Sequence, residues 1–180
     1  EARVAVIHPD TEIRRIDSVV GFGVFATAFI PRGTITWVKD LLDLVLTPAQ
    51  VAAMPPAYQQ VVARYTFNDP AGNHVLSWDF GRYMNHSCEP TTTCLGTFCD
   101  MAKVDIKPGD QLTCEYAFHN VNDDFRCTCG APHCRGTVKA TDIDLIADRV
   151  DAETKPLVAE IAKVKQPIID FWQETERRRL

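Results

Sequence analysis

Three of the chain's seven cysteines, Cys127, Cys129 and Cys134, fall within eight residues. An odd number of thiols does not read as a disulfide framework. Thiols bunched this closely read instead as a metal site in a reducing, intracellular compartment, cytoplasmic or nuclear. The other four, Cys88, Cys94, Cys99 and Cys114, lie scattered upstream. The whole sequence is 46% hydrophobic over 180 residues, enough for one domain with its own core. With 19 Lys and Arg against 24 Asp and Glu, the net charge is −5. That balance argues against direct binding to a nucleic-acid backbone and suits a basic peptide or protein partner. No apolar run approaches the roughly 20 residues of a membrane span, so no membrane partner is expected. The chain opens on Glu1 without a charged-then-apolar leader, so any targeting segment is expected outside it.

Short β-prone runs dominate the first two thirds. They cover 3–8, 19–30, 34–38, 65–67, 74–78, 101–106 and 111–117, separated by Asp-Pro, Gly-Asn and Pro-Gly-Asp loops. Pro31-Arg32-Gly33 signals a turn. Thr47-Pro48-Ala49-Gln50 has the form of a helix start, with Thr as N-cap, Pro at N1 and Gln at N3. Pro55-Pro56 ends that helix, and a second short one is expected over 57–63. The pattern predicts a mainly β fold with short helices. Past Gly136 the texture changes. Leu157, Ile161, Val164, Ile168 and Trp172 recur at helical steps and predict one packed helix, kinked at Pro167.

Four motifs follow one another. Gly21-Phe22-Gly23-Val24-Phe25-Ala26 matches Gly-x-Gly-x-x-Ala, but no helix follows it and Pro31 opposes one, so it is not read as a dinucleotide fingerprint. Arg82-Tyr83-Met84-Asn85-His86-Ser87-Cys88-Glu89-Pro90 is a dense polar run in apolar surroundings. Gly109-Asp110-Gln111-Leu112-Thr113-Cys114-Glu115-Tyr116 follows, and then Phe125-Arg126-Cys127-Thr128-Cys129-Gly130 with His133-Cys134-Arg135-Gly136. In this order the motifs resemble the SET-domain protein lysine methyltransferases with their cysteine-rich post-SET tail. The resemblance runs from about residue 12 to 136. It implies a SET-domain fold of small β sheets around a pseudoknot in 1–120, a post-SET zinc-binding tail in 121–136, and a C-terminal helical extension over 137–180 that lies outside the family pattern.

The resemblance also implies chemistry. S-adenosyl-L-methionine would be the cofactor. Gly21, Phe22, Gly23, Val24, Arg82, Tyr83, Asn85 and His86 inherit contacts to it, with Tyr65, Tyr116 and Phe125 beside them. Tyr116 inherits the catalytic position. Its reference pKa near 10 makes it a poor general base at neutral pH, so its work is aiming the amine and polarising the methyl group. Cys88 joins Cys127, Cys129 and Cys134 in one structural zinc site per chain. The substrate is a protein or peptide presenting a lysine, a histone or another basic protein, with Cys114, Tyr116, Phe118 and Trp78 as channel residues.

Two positions depart from the family. Thr91 stands where Asn usually follows the Pro of Asn-His-Ser-Cys-x-Pro. Cys114 stands where an aromatic usually precedes the catalytic tyrosine by two residues. A small, weakly hydrogen-bonding residue there leaves room in the channel, which points to di- or trimethyllysine as product unless Trp78 or Phe118 fills the space. Two alternatives accompany the enzyme reading: a catalytically silent SET-like module that binds peptides or scaffolds a complex, and a zinc-stabilised interaction domain without cofactor. Oligomeric state leaves no mark on the sequence.

Overall fold

The computed structural model describes residues 6–96, 99–119 and 124–177. The chain begins with β1 (Thr11–Arg15), a strand whose single aliphatic residue, Ile13, gave no apolar pattern. It pairs antiparallel with β2 (Phe22–Ala26), Thr11 opposite Ala26 and Arg15 opposite Phe22. After the expected turn at Pro31–Gly33 comes β3 (Ile35–Val38), buried along its whole length. The predicted run at 3–8 is described only from Val6. There Ile7 makes one isolated bridge to Trp37, and Val38 donates to the Val6 carbonyl.

β4 (Leu44–Leu46) leads into α1 (Pro48–Ala52), which forms as its sequence dictates. Gln50 N–H donates to the Thr47 hydroxyl at 3.2 Å, and Gln50 Oε1 accepts from Thr47 N–H at 2.8 Å, a complete capping box. α2 (Pro56–Tyr65) absorbs Tyr65, which the strand expectation had placed next door. Thr66 ends this helix by turning extended, with its hydroxyl on the Val62 carbonyl. β5 (Phe67–Asn68) and β6 (His74–Leu76) then complete a three-stranded sheet in the order β4-β6-β5.

A 3₁₀ turn over Phe80–Tyr83 precedes β7 (Asn85–His86), β8 (Thr92–Cys94), β9 (Cys99–Ala102) and β10 (Gln111–Cys114). One sheet has the order β1-β2-β10-β7 and another β3-β9-β8. β7 runs parallel to β10, Asn85 opposite Thr113 and His86 opposite Cys114. The strand expected through Ala117 stops at Cys114. Glu115 folds its carboxylate back onto Ala117 N–H at 3.0 Å, and Tyr116–His119 becomes a 3₁₀ turn. Ile7, Val24, Ala26, Trp37, Met84, Leu112 and Cys114 belong to the core between these sheets.

β11 (Phe125–Arg126) and β12 (Thr137–Val138) bracket the cysteine tail as an antiparallel pair. The single kinked C-terminal helix is not what forms. α3 (Asp142–Val158) ends early, a short 3₁₀ turn covers Ile161–Lys163, and α4 (Ile169–Arg177) follows. Pro167 bars helix at Gln166, and the Gln166 side chain takes up partners elsewhere. Its Oε1 accepts from Ile35 N–H at 2.8 Å, and its Nε2 donates to the carbonyls of Gly33 at 2.8 Å and Ile161 at 3.0 Å. Gly33 has φ +88°, and a Cβ there would stand 2.6 Å from Glu160 Cβ, so glycine is required at this crossing. Leu157 and Ile168 are still buried, as the helical pattern implied, but Leu157 from α3 and Ile168 from the turn before α4. Among the described residues, no helix is long and apolar enough to cross a membrane.

Candidate active site

The turn before β2 is built for close approach. Gly21 has φ +87°, and Arg64 from α2 holds the turn by donating to the carbonyls of Val19 and Val20 at 3.1 and 3.0 Å. At Gly23 a Cβ would lie 2.6 Å from Gln111 Nε2, 2.8 Å from Ile16 Cδ1 and 3.1 Å from Asn85 Nδ2. Any side chain at Gly23 would collide with these neighbours. Asn85 donates from Nδ2 to the Phe22 carbonyl at 2.9 Å, which ties β7 to the glycine turn. Phe22, Tyr83 and Tyr65 form an edge-to-face chain of rings, with centroids 5.8 and 5.7 Å apart. The Arg82 guanidinium lies 5.2 Å from the Tyr83 ring centroid and donates to the carbonyls of Ser77 and Trp78. The structure therefore brings Gly21, Phe22, Gly23, Tyr65, Arg82, Tyr83 and Asn85 into one wall, while Val24 is fully buried beneath it.

Tyr116 faces the end of that wall. Its hydroxyl donates to the Met84 carbonyl at 2.8 Å. Its ring meets His86 at 5.5 Å, Phe125 at 5.7 Å and His119 at 6.0 Å. Burial pushes the phenol far above its ordinary pKa, with the Cys114 thiol adding to the shift, so a phenolate is excluded at neutral pH.

His86 connects this site to the thiols. Its Nδ1 accepts from Tyr116 N–H at 3.2 Å. That assignment puts the ring proton on Nε2, 3.3 Å from Cys88 Sγ. Burial lowers the His86 pKa, partly offset by Glu115. The Sγ atoms of Cys88, Cys127, Cys129 and Cys134 all lie within 4.8 Å of one another, and Cys88 to Cys127 is 3.9 Å. Ligands about 2.3 Å from a tetrahedral zinc stand about 3.8 Å apart, so the donor set fits that ion. Backbone N–H groups also point at sulfur: Cys88 to Cys129, Arg135 to Cys88 and Gly136 to Cys134, each at 3.4 Å. Burial opposes ionisation of Cys129, but the N–H groups of Cys88 and Ala131 and the adjacent thiols hold its pKa below the usual value.

Two residues of this region stand in the sequence motifs without a role assigned to them. Glu115, 5% exposed, accepts from Arg135 Nη2 at 2.7 and 2.8 Å and lies 3.4 Å from His86 Nδ1. Arg135 also reaches Asp142 at the start of α3, at 3.4 Å. The signal available was adjacency: Glu115 sits between Cys114 and Tyr116, and the oppositely charged Arg135 directly follows Cys134. Thr91 offsets its departure from the family. Its hydroxyl donates to the Gln111 carbonyl at 3.0 Å and accepts from Thr113 N–H at 2.9 Å, locking the turn onto β10.

The four channel candidates separate. Cys114 is 3% exposed within the core. Phe118 lies between Pro90, Thr92 and Arg149 on one side and Trp37, Phe67 and His119 on the other. Trp78 stands outward, 44% exposed, with its indole N–H on the Asp40 carboxylate at 3.0 and 3.1 Å. Tyr116 alone of the four meets His86 and Phe125.

Small sheets, a glycine turn and a half-buried tyrosine linked through His86 to four thiols define a class of domain. The SET domain family model matches residues 21–117, more than half of the chain, and the chain belongs to the SET-domain family. It is similar to the histone-lysine N-methyltransferase TRX1 of Oryza sativa subsp. japonica, 27% identical over 136 residues covering 69% of this chain and 13% of that protein. It is also similar to the histone-lysine N-methyltransferase ATX2 of Arabidopsis thaliana, 26% identical over 138 residues covering 69% of this chain and 12% of that one. The chain thus spans a small part of the length of these relatives. Its fold is shared with KRYPTONITE, solved in complex with mCHH DNA, an H3(1-15) peptide and SAH. That match has a TM-score of 0.51 and 22% identity, and covers 72% of this chain and 29% of that one.

Proposed function

We propose that this chain is the catalytic domain of an S-adenosylmethionine-dependent protein-lysine N-methyltransferase that modifies a histone or another basic protein. The observation that carries the reading is Tyr116, partly buried, fixed on the Met84 carbonyl, and set against His86 and Phe125 where the glycine cradle ends. Bound S-adenosylmethionine supplies a methyl group on a sulfonium, open to in-line attack by an uncharged amine. Gly21, Phe22 and Gly23 offer backbone to this cofactor, Asn85 offers its amide, and Tyr65, Tyr83, Arg82, His86 and Phe125 wall it in. A free lysine has a pKa of about 10.4, and desolvation beside Tyr116 lowers it toward the reactive neutral form. Because the Tyr116 proton is committed to Met84, its oxygen lone pairs are left to face the polarised methyl C–H groups.

Cys88, Cys127, Cys129 and Cys134 would hold one structural zinc, fixing the tail that carries Phe125. The relatives' names and the H3 peptide in the KRYPTONITE complex support a histone substrate and a nuclear setting. The net charge of −5 favours a basic peptide over DNA as the direct partner of this domain. Small Cys114 supports products beyond monomethyllysine.

The test is methyl transfer from radiolabelled S-adenosylmethionine to core histones, with mass spectrometry of the product. Transfer that is lost in Tyr116→Phe supports the assignment. Cofactor binding by calorimetry with no transfer to histones or lysate proteins would leave the silent-module alternative standing.

A further inference from the structure

His119 ends the 3₁₀ turn that Tyr116 begins. Its ring stands edge-on to Tyr116 at 6.0 Å and against Phe67 at 5.5 Å, the rings crossing at 84° and 61°. His86 and Phe125 also pack on Tyr116, and the reading above gives both to the cofactor. His119 has no part in that reading. Its Nε2 is shut off from solvent and has no hydrogen-bond partner among the described residues. A buried polar atom left unpaired costs free energy, so this nitrogen has an acceptor or donor capacity that the described residues do not use. The ring borders a cavity about the size of one water molecule, shared with Trp37, Phe67, Cys94, Asp100 and Phe118. Burial lowers the His119 pKa against the opposing charges of Asp100 and Glu115, so the imidazole is neutral. Cys114 lies in the core and offers only a weak thiol.

We propose that His119 is a specificity-determining residue whose Nε2 accepts a hydrogen bond from the target amine and thereby stops methylation at dimethyllysine. This rests on the methyltransferase reading. A neutral lysine amine carries one lone pair and two N–H bonds. The lone pair forms the new N–C bond while the sulfonium S–C bond breaks and its electrons return to sulfur. The resulting ammonium loses a proton to water before the next transfer. Neutral monomethyllysine still has one N–H to place on Nε2 while its lone pair faces the methyl group. Neutral dimethyllysine has none, and a methyl group would instead abut the bare ring nitrogen. The third transfer therefore loses the contact that aligns the first two.

The full chain is incubated to completion with S-adenosylmethionine and core histones, and the products are resolved by mass spectrometry. The wild type is expected to stop at dimethyllysine. His119→Leu is expected to raise the trimethyl fraction at least about tenfold and slow the first transfer by a similar factor, the scale of one hydrogen bond. His119→Gln, which keeps an acceptor, is expected to retain the dimethyl stop, a rescue that a purely structural role would not give. Trimethyllysine from the wild type, or an unchanged product spectrum in a folded His119→Leu, overturns the proposal and leaves the methyltransferase reading intact. A wild type that binds cofactor and transfers nothing overturns both.

Discussion

Replacing Arg135 with leucine removes the cation that neutralises two buried carboxylates. Glu115 is 5% exposed and Asp142 4% exposed. Arg135 meets the first with Nη2 at 2.7 Å and the second with Nη1 at 3.4 Å. Breaking a buried pair by deleting one partner costs about 3–5 kcal/mol, because the remaining charge is stranded. The Arg135 side chain keeps 23% of its surface in water, so the lower end, about 3 kcal/mol, applies. At about 2–4 °C per kcal/mol for a domain of this length, the melting temperature should fall by about 6–12 °C. Calorimetric melting of the wild type, Arg135→Leu, Glu115→Gln and the double variant measures this. Neutralising Glu115 removes the nearer of the two stranded charges, so the double variant should melt above Arg135→Leu. A drop under about 2 °C, or effects that simply add, would refute the claim that this pair joins the thiol tail to the turn carrying Tyr116.

Four further outcomes are expected. Metal analysis of purified protein should find about one zinc per chain, and chelation should weaken S-adenosylmethionine binding in calorimetry, because closing the site and ordering its residues are one event. Tyr116→Phe should bind cofactor normally and turn over about 100-fold more slowly, read by single-turnover methyl transfer. Asn85→Ala should fail mainly in cofactor affinity, since its amide is the link to the glycine cradle. Asp43→Asn should raise the melting temperature at pH 8 by about 5 °C and not at pH 4. Burial, with Asp40 and Asp79 adding to it, raises the Asp43 pKa from 3.8 to about 7 against the hydrogen bonds it accepts. The folded state then holds a proton that the unfolded state has lost between about pH 4 and 7. Stability falls as pH rises through that window and stays lower above it.

What the sequence revealed was local. The Thr47–Gln50 capping box, the Pro31–Gly33 turn and the spacing of Cys127, Cys129 and Cys134 all act within a few residues. What it hid was mostly long-range. Glu115 and Arg135 meet across twenty residues, and a pairing of that kind leaves no periodicity. The turn at Tyr116 depends on where the Glu115 carboxylate goes, so a strand pattern ran past its true end. β1 is paired on one side only and carries too little apolar surface to announce itself. His119 was visible, but nothing in a Tyr-Ala-Phe-His run distinguishes an orphaned ring nitrogen from an ordinary core histidine.

The Gln166 amide closes a long circuit. The chain leaves β3, builds the remaining sheets, passes through the four thiols, and returns to clamp the backbone of Gly33 and Ile35. The cysteine tail is therefore a span held at both ends, not a flap with a free tip. A doubly anchored span has less conformational freedom to gain on opening. In the proposed reaction, a wide excursion of the tail that released a spent cofactor would require the clamp to let go first, a local unfolding event that would limit turnover. The Ile35 amide donates to Gln166 Oε1, and its hydrogen-exchange rate counts how often that happens.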